Sequence, residues 1–180
     1  MAIIPNINIE HCVIGGSQPV LVIAEVGVNH NGNIELAKQL IREAAECGAD
    51  CVKFQTFKAD RVATKSAPKA AYQLKTTAKD ESQVDMLKKL EMSIDYYREI
   101  VNCCKENNVL FISTPYNLED VDFLEKLGVS AYKLASIHAS EPWFASYVAK
   151  TGKPVILSTG MCTLEEIELT VEKMTETNHK

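Results

Sequence analysis

Seven polar residues stand inside or at the ends of five apolar runs, and their types suit anion binding and proton transfer. The runs are VLVIAEVGV (20–28), CVKFQTF (51–57), VLFISTPY (109–116), AYKLAS (131–136) and PVILSTG (154–160). The polar residues are Glu25, Lys53, Gln55, Thr114, Lys133, Ser136 and Ser158. A lysine within an apolar strand is costly unless it faces a polar pocket or an anion. One such lysine is readily a strand residue that reaches solvent. Two of them, Lys53 in V-K-F-Q and Lys133 in Y-K-L, beside Thr114, Ser136 and Ser158, suggest a site for phosphate or carboxylate. Glu25, in I-A-E-V-G, has two readings. It is a structural partner of one of these lysines, or a carboxylate whose protonation enters a reaction.

These residues meet only if the runs are parallel strands whose C-terminal ends share one face. Each run is followed by a helix-like segment, which predicts βα units, right-handed crossovers and a parallel α/β fold, either a five-stranded open sheet or the first part of a barrel. Helices are expected over about 34–47, 95–107, 118–127 and 141–151. Asn117 and Gly128 bound the third, and Pro142 sits in the first turn of the fourth. Thr163 and Glu166 predict a capping box that opens a last helix. Residues 1–19 read as a hairpin with Gly15-Gly16 at its turn or end. The segment 58–92 is too long for an ordinary connection, which predicts a functional or a disordered segment, with a short helix near 82–89; in a barrel it would be a βα loop over the strand ends. Asn29-His30-Asn31-Gly32 reads as a tight βα turn with His30 as a capping residue. Trp143 reads as a packing residue of the fourth helix.

The 180 residues carry a net charge of -5, which disfavours a nucleic-acid binder but leaves room for a locally basic pocket. No run approaches the ~18 apolar residues of a membrane span, and the N-terminus lacks the pattern of a signal peptide. The six cysteines have no paired Cys-x-x-Cys spacing. They read as reduced, small apolar residues, which points to the cytoplasm.

The motifs VIAEVGVNHNG (22–32), VKFQTFKAD (52–60), FISTPY (111–116), YKLAS (132–136) and VILSTGM (155–161) resemble those of the sialic acid synthase family. APKAAYQ (67–73) and ESQVDMLKKLEMS (81–93) are similar to the bacterial N-acetylneuraminate and legionaminate synthases. The resemblance covers roughly residues 15–175. It implies a (β/α) TIM barrel followed by an antifreeze-like domain, acting as a domain-swapped homodimer. Residues 1–180 would supply the N-terminal portion of that barrel, about five βα units, whereas a full barrel needs about 250 residues. It further implies condensation of phosphoenolpyruvate with N-acetylmannosamine or a related N-acetylated aminosugar. Lys53, Thr114, Lys133, Ser136 and Ser158 would contact phosphoenolpyruvate. Gln55 and Tyr72 would lie near the sugar, and Glu25 near the reacting centre. A divalent metal, manganese or magnesium, would polarise the sugar aldehyde, with its ligands on later strands beyond Lys180.

The chain departs from the family pattern in SIHAS (136–140), where His138 stands in place of a usual acidic residue. Without the metal ligands, these residues alone are expected to be inactive. Two rival readings remain: a Schiff-base aldolase using Lys53 or Lys133, and a non-catalytic binding or assembly module whose exposed strand edges need a partner.

Overall fold

The computed structural model describes residues 6–69, 71, 73–75, 77 and 80–177. Two short strands, β1 (Ile7–Ile9) and β2 (Cys12–Ile14), form the N-terminal hairpin. Its turn is Glu10-His11, with Glu10 at φ 50°, and Gly15-Gly16 marks its end. Five further strands follow: β3 (Ile23–Gly27), β4 (Cys51–Thr56), β5 (Leu110–Pro115), β6 (Tyr132–Leu134) and β7 (Val155–Leu157). They form one parallel sheet in sequential order, β3-β4-β5-β6-β7. This is an incomplete (β/α) arrangement of TIM-barrel type, open between β3 and β7. The strands are shorter than the apolar runs that encode them, so Ser136 and Ser158 lie just past their strand ends.

The helices are α1 (Ile34–Glu46), α2 (Ala59–Val62), α3 (Gln83–Lys88), α4 (Ile94–Glu106), α5 (Leu118–Leu127), α6 (Pro142–Ala149) and α7 (Leu164–Thr177). Their starts are encoded locally. Asn33 Oδ1 accepts from the N–H groups of Glu35 and Leu36, at 2.9 and 3.1 Å, and caps α1. Asn117 caps α5 through the Asp120 N–H, and Gly128, at φ 84°, ends it. Thr163 and Glu166 form the expected reciprocal box before α7.

Strand alternation sorts the side chains into two layers. Ala24, Val26, Val52, Phe54, Phe111, Tyr132, Leu134, Val155 and Leu157 face the helices and pack with Ile41, Ile100, Leu124 and Val148. Each large apolar side chain buried there is worth about 1.5–3 kcal/mol, so this layer, rather than surface ion pairs, sets the stability. The opposite face carries Ile23, Cys51, Leu110, Ile112, Ala131 and Ile156 at the N-terminal end, closed by Ile9 of the hairpin. Farther along the same face come Glu25, Lys53, Gln55, Thr114, Lys133 and Ser158.

The described residues of segment 58–92 are folded. Besides α2 and α3 the segment contains a 3-10 turn, Gln73–Lys75. Glu91 ties its two ends together by accepting from the Ala59 N–H at 2.7 Å and from Lys58 Nζ at 3.0 Å. Glu81 pairs with both Lys69, at 3.0 Å, and Lys89.

Three expectations change. Trp143 is exposed on α6 and packs little, because the turn of helix that follows Pro142 points it outward while Phe144 takes the core position. His30 is not a helix cap. Asn33 has that role, and the His30 ring is buried against Phe54. Among the cysteines, Cys51, Cys103 and Cys104 are buried as expected, but Cys47 is exposed at the end of α1, and Cys12 and Cys162 are half-buried.

Candidate functional site

β3 and β4 run in register, which sets Glu25 opposite Lys53. Lys53 Nζ lies 2.6 Å from Glu25 Oε1. The lysine side chain is nearly buried, while the carboxylate is 59% exposed at the mouth of the site. Immediately after Glu25 the register shifts. Val26 is the extra residue of a β-bulge, and Gly27 adopts φ 54°. A Cβ on Gly27 would come within 3.0 Å of Glu25 Oε1 and 3.7 Å of Gln55 Nε2. The missing side chain therefore leaves a gap between that carboxylate and that amide.

On β6, Lys133 points to the same face. Its Nζ donates to Ser158 Oγ and, at 3.0 Å, to the Leu134 carbonyl. Burial holds the Lys133 ammonium below the ordinary lysine pKa; the positive charge of Lys53 adds to the effect, and Glu25 opposes it. Two cations and one carboxylate thus share one end of the sheet, a balance that favours an anion. Thr114, opposite Gln55 in the β4–β5 register, is buried. Ser136 opens the 3-10 segment Ser136–Ser140 after β6, and its carbonyl accepts from Cys162 Sγ at 3.0 Å. Tyr72 lies outside the described residues.

Beside this polar cluster lies a cleft of about 890 Å³ roofed by segment 58–92. Asn29, Asn31, Gln55, Phe57, Met86 and Tyr116 are among its walls. Gly32 makes the close approach possible: at φ 71°, a Cβ there would meet the Lys89 carbonyl oxygen at 2.8 Å.

The sequence does not single out two of the site neighbours, Tyr116 and Asp120. Tyr116 Oη donates to Gln55 Oε1 at 3.3 Å, and its ring meets Phe57 and His138 edge-on. The Asp120 carboxylate accepts the Tyr116 N–H at 3.2 Å, and burial pushes its pKa up to about 6. Asp120 follows Asn117 by three residues, the spacing of a helix N-cap, and nothing in that pattern signals its burial. His138 is buried against Phe144, with ring centroids 4.4 Å apart, and its Nδ1 lies 3.0 Å from Glu141 Oε2. Among the described residues, no group of three or more His, Cys, Asp or Glu side chains could hold a metal ion, so the residues present do not make a metal site.

A sequence model of the NeuB family matches residues 40–180. The chain belongs to the NeuB family. This NeuB-family chain is 50% identical over 148 residues to the N,N'-diacetyllegionaminic acid synthase of Campylobacter jejuni, covering 82% of this chain and 44% of that protein. It is 39% identical over 158 residues to the Legionella pneumophila protein of the same name, covering 88% of this chain and 44% of that one. The crystal structure of the N-acetylneuraminic acid synthetase from Leptospira borgpetersenii, in complex with citrate, superposes with a TM-score of 0.81 at 28% identity. It covers 96% of this chain and 56% of that one. The chain thus spans about half the length of the relatives it matches.

Proposed function

We propose that these residues form the phosphoenolpyruvate half of a nonulosonic acid synthase. The whole protein would condense phosphoenolpyruvate with N-acetylmannosamine or a related N-acetylated aminosugar. The observation that carries this reading is the placement of Lys53–Glu25 and Lys133–Ser158 on one face of the sheet, beside a cleft large enough for a sugar. The names of the Campylobacter and Legionella relatives support the product class.

In this scheme the Lys53 and Lys133 ammonium groups, with the hydroxyls of Thr114, Ser136 and Ser158, hold the phosphate and carboxylate of phosphoenolpyruvate. Its methylene carbon forms the new C–C bond to the aldehyde carbon of the open-chain sugar, and the aldehyde oxygen takes up a proton. Water adds to the resulting cationic C2 and loses a proton. Phosphate then departs with the C–O electron pair as the new C2 hydroxyl gives up its proton, which the leaving phosphate takes, leaving the keto acid. Glu25, exposed beside Lys53, is placed to take or deliver one of these protons. Gln55 faces the sugar from the cleft wall, with Tyr72 assigned to the same subsite. The divalent metal, manganese or magnesium, belongs in this proposal to the whole protein, with its ligands outside these residues. A cytoplasmic homodimer that carries further barrel strands and an antifreeze-like domain completes the proposal.

Calorimetric titration of the chain with phosphoenolpyruvate tests the reading. Saturable binding that weakens at least ~30-fold in Lys53→Ala, as expected for loss of a charge-assisted contact, supports it. A folded chain that shows no binding overturns it.

The Schiff-base reading draws on one observation: Lys133 is half-buried beside a second cation, an environment that lowers its pKa and so favours the neutral, nucleophilic amine. Borohydride trapping with pyruvate decides between the two. A covalent adduct lost in Lys133→Met favours the aldolase.

A further inference from the structure

The Gln55 amide has two ends with different hydrogen-bonding character: its NH₂ only donates and its oxygen only accepts, so an acceptor-only carboxylate on one side and a donating hydroxyl on the other together favour one orientation. Its oxygen accepts from Tyr116 Oη at 3.3 Å. Its nitrogen turns to the opposite side, within 3.7 Å of the position a Gly27 Cβ would occupy, where Glu25 Oε1 is also close. Tyr116 itself is held by contacts that leave its hydroxyl little freedom. The Asp120 carboxylate takes its backbone N–H at 3.2 Å, and Phe57 and His138 flank its ring at centroid distances of 5.8 Å. Both Gln55 and Tyr116 line the cleft, so the oriented amide is presented to whatever enters it.

We propose that Tyr116 is a positioning residue for acceptor recognition. Its hydroxyl, donating to Gln55 Oε1, and the acceptor-only Glu25 carboxylate together hold the Gln55 amide with the NH₂ turned toward Glu25 and the gap over Gly27, so that Gln55 donates a hydrogen bond to an oxygen of the aminosugar. The sugar part of this inference rests on the proposed synthase reading. Without the tyrosine hydroxyl, the amide loses the partner of its oxygen and is freer to turn that oxygen toward the cleft, where it repels an oxygen of the ligand.

The test combines ligand-free and ligand-bound measurements on the wild-type chain, Tyr116→Phe, Gln55→Leu and the double variant. Tyr116→Phe keeps the ring packing. In the free wild type, side-chain amide NMR is expected to show a nuclear Overhauser contact between the Gln55 NH₂ and the Gly27 Hα that is lost in Tyr116→Phe. In titrations, Tyr116→Phe is expected to weaken N-acetylmannosamine about 5- to 30-fold, the loss of one oriented hydrogen bond, while phosphoenolpyruvate affinity stays within about twofold. In the Gln55→Leu background the tyrosine change is expected to cost nothing further, whereas a merely structural tyrosine gives additive losses. A contact that survives in Tyr116→Phe, an unchanged sugar affinity or additive losses each overturn the inference. So does a wild-type chain that binds phosphoenolpyruvate but not N-acetylmannosamine. If the wild type binds neither ligand, the synthase reading fails and takes the sugar role with it; the NMR contact still reports on the Tyr116–Gln55 coupling alone.

Discussion

Glu25 Oε1 sits 2.6 Å from Lys53 Nζ across neighbouring parallel strands, with the cation nearly buried and the anion mostly exposed. The two partners are therefore not equivalent. Glu25→Gln strands a buried ammonium near a second one, at Lys133, whereas Lys53→Met leaves a carboxylate that water already reaches. We expect Glu25→Gln to lower unfolding free energy by about 1–2 kcal/mol, a buried-pair penalty discounted for the exposed carboxylate. Lys53→Met should cost less. If the proposed site binds phosphoenolpyruvate, Glu25→Gln should also tighten that binding, because it removes a negative charge from beside Lys53. Urea denaturation and calorimetry check the two effects; equal losses of stability in the two variants would contradict this asymmetry.

Lys133 titrates below the ordinary lysine range because it is buried and Lys53 lies near. A bound anion favours the ammonium form and raises that pKa. Binding of phosphoenolpyruvate in alkaline buffer should therefore take up protons, and affinity should fall as pH rises through the free-state pKa of Lys133. Calorimetry in buffers of different ionisation enthalpy measures the uptake, which Lys133→Met should abolish.

The Asp120 pKa is raised from its model-compound value of 3.8 to about 6 in the fold, mainly by burial. The folded state then binds its proton more tightly than the unfolded chain does. The contribution of this group to stability is full below pH 3.8 and declines as pH rises toward and through about 6. Asp120→Asn keeps an acceptor for the Tyr116 N–H without the titration. The difference in stability between variant and wild type should grow by about 1–2 kcal/mol in favour of asparagine from pH 4 to pH 7. Thermal melts across that range provide the comparison, and parallel curves would rule out Asp120 as the titrating group.

Gly32 combines a left-handed backbone with a close approach to the Lys89 and Glu91 carbonyls. Gly32→Ala should destabilise the chain by about 2–3 kcal/mol, from the positive φ plus displacement of the cleft roof. Gly48, also at positive φ but with open space around it, is the control. Its alanine variant should show the backbone cost alone. Hydrogen exchange in residues 83–92 should rise in Gly32→Ala and not in Gly48→Ala.

The sequence by itself determined the order and type of the elements and the residues at the strand ends. Those features follow from local rules. Alternation along each run decides which side chains share a face, so Glu25, Lys53, Gln55, Thr114, Lys133 and Ser158 were legible as one group. The caps at Asn117, Gly128 and Thr163 were equally readable, because each acts within four residues. Only the tertiary structure decided how that group is wired. The pairing of Glu25 with Lys53 rather than Lys133 depends on the β3–β4 register. The burial of Asp120 and His138 and the outward position of Trp143 depend on how α5 and α6 dock. The hydrogen bond from Tyr116 to Gln55 joins residues 61 positions apart. No periodicity encodes such contacts. They arise where strand register, the Val26 bulge and the helices after β4 bring distant polar groups to one cleft, and each group must then find a partner from another part of the chain.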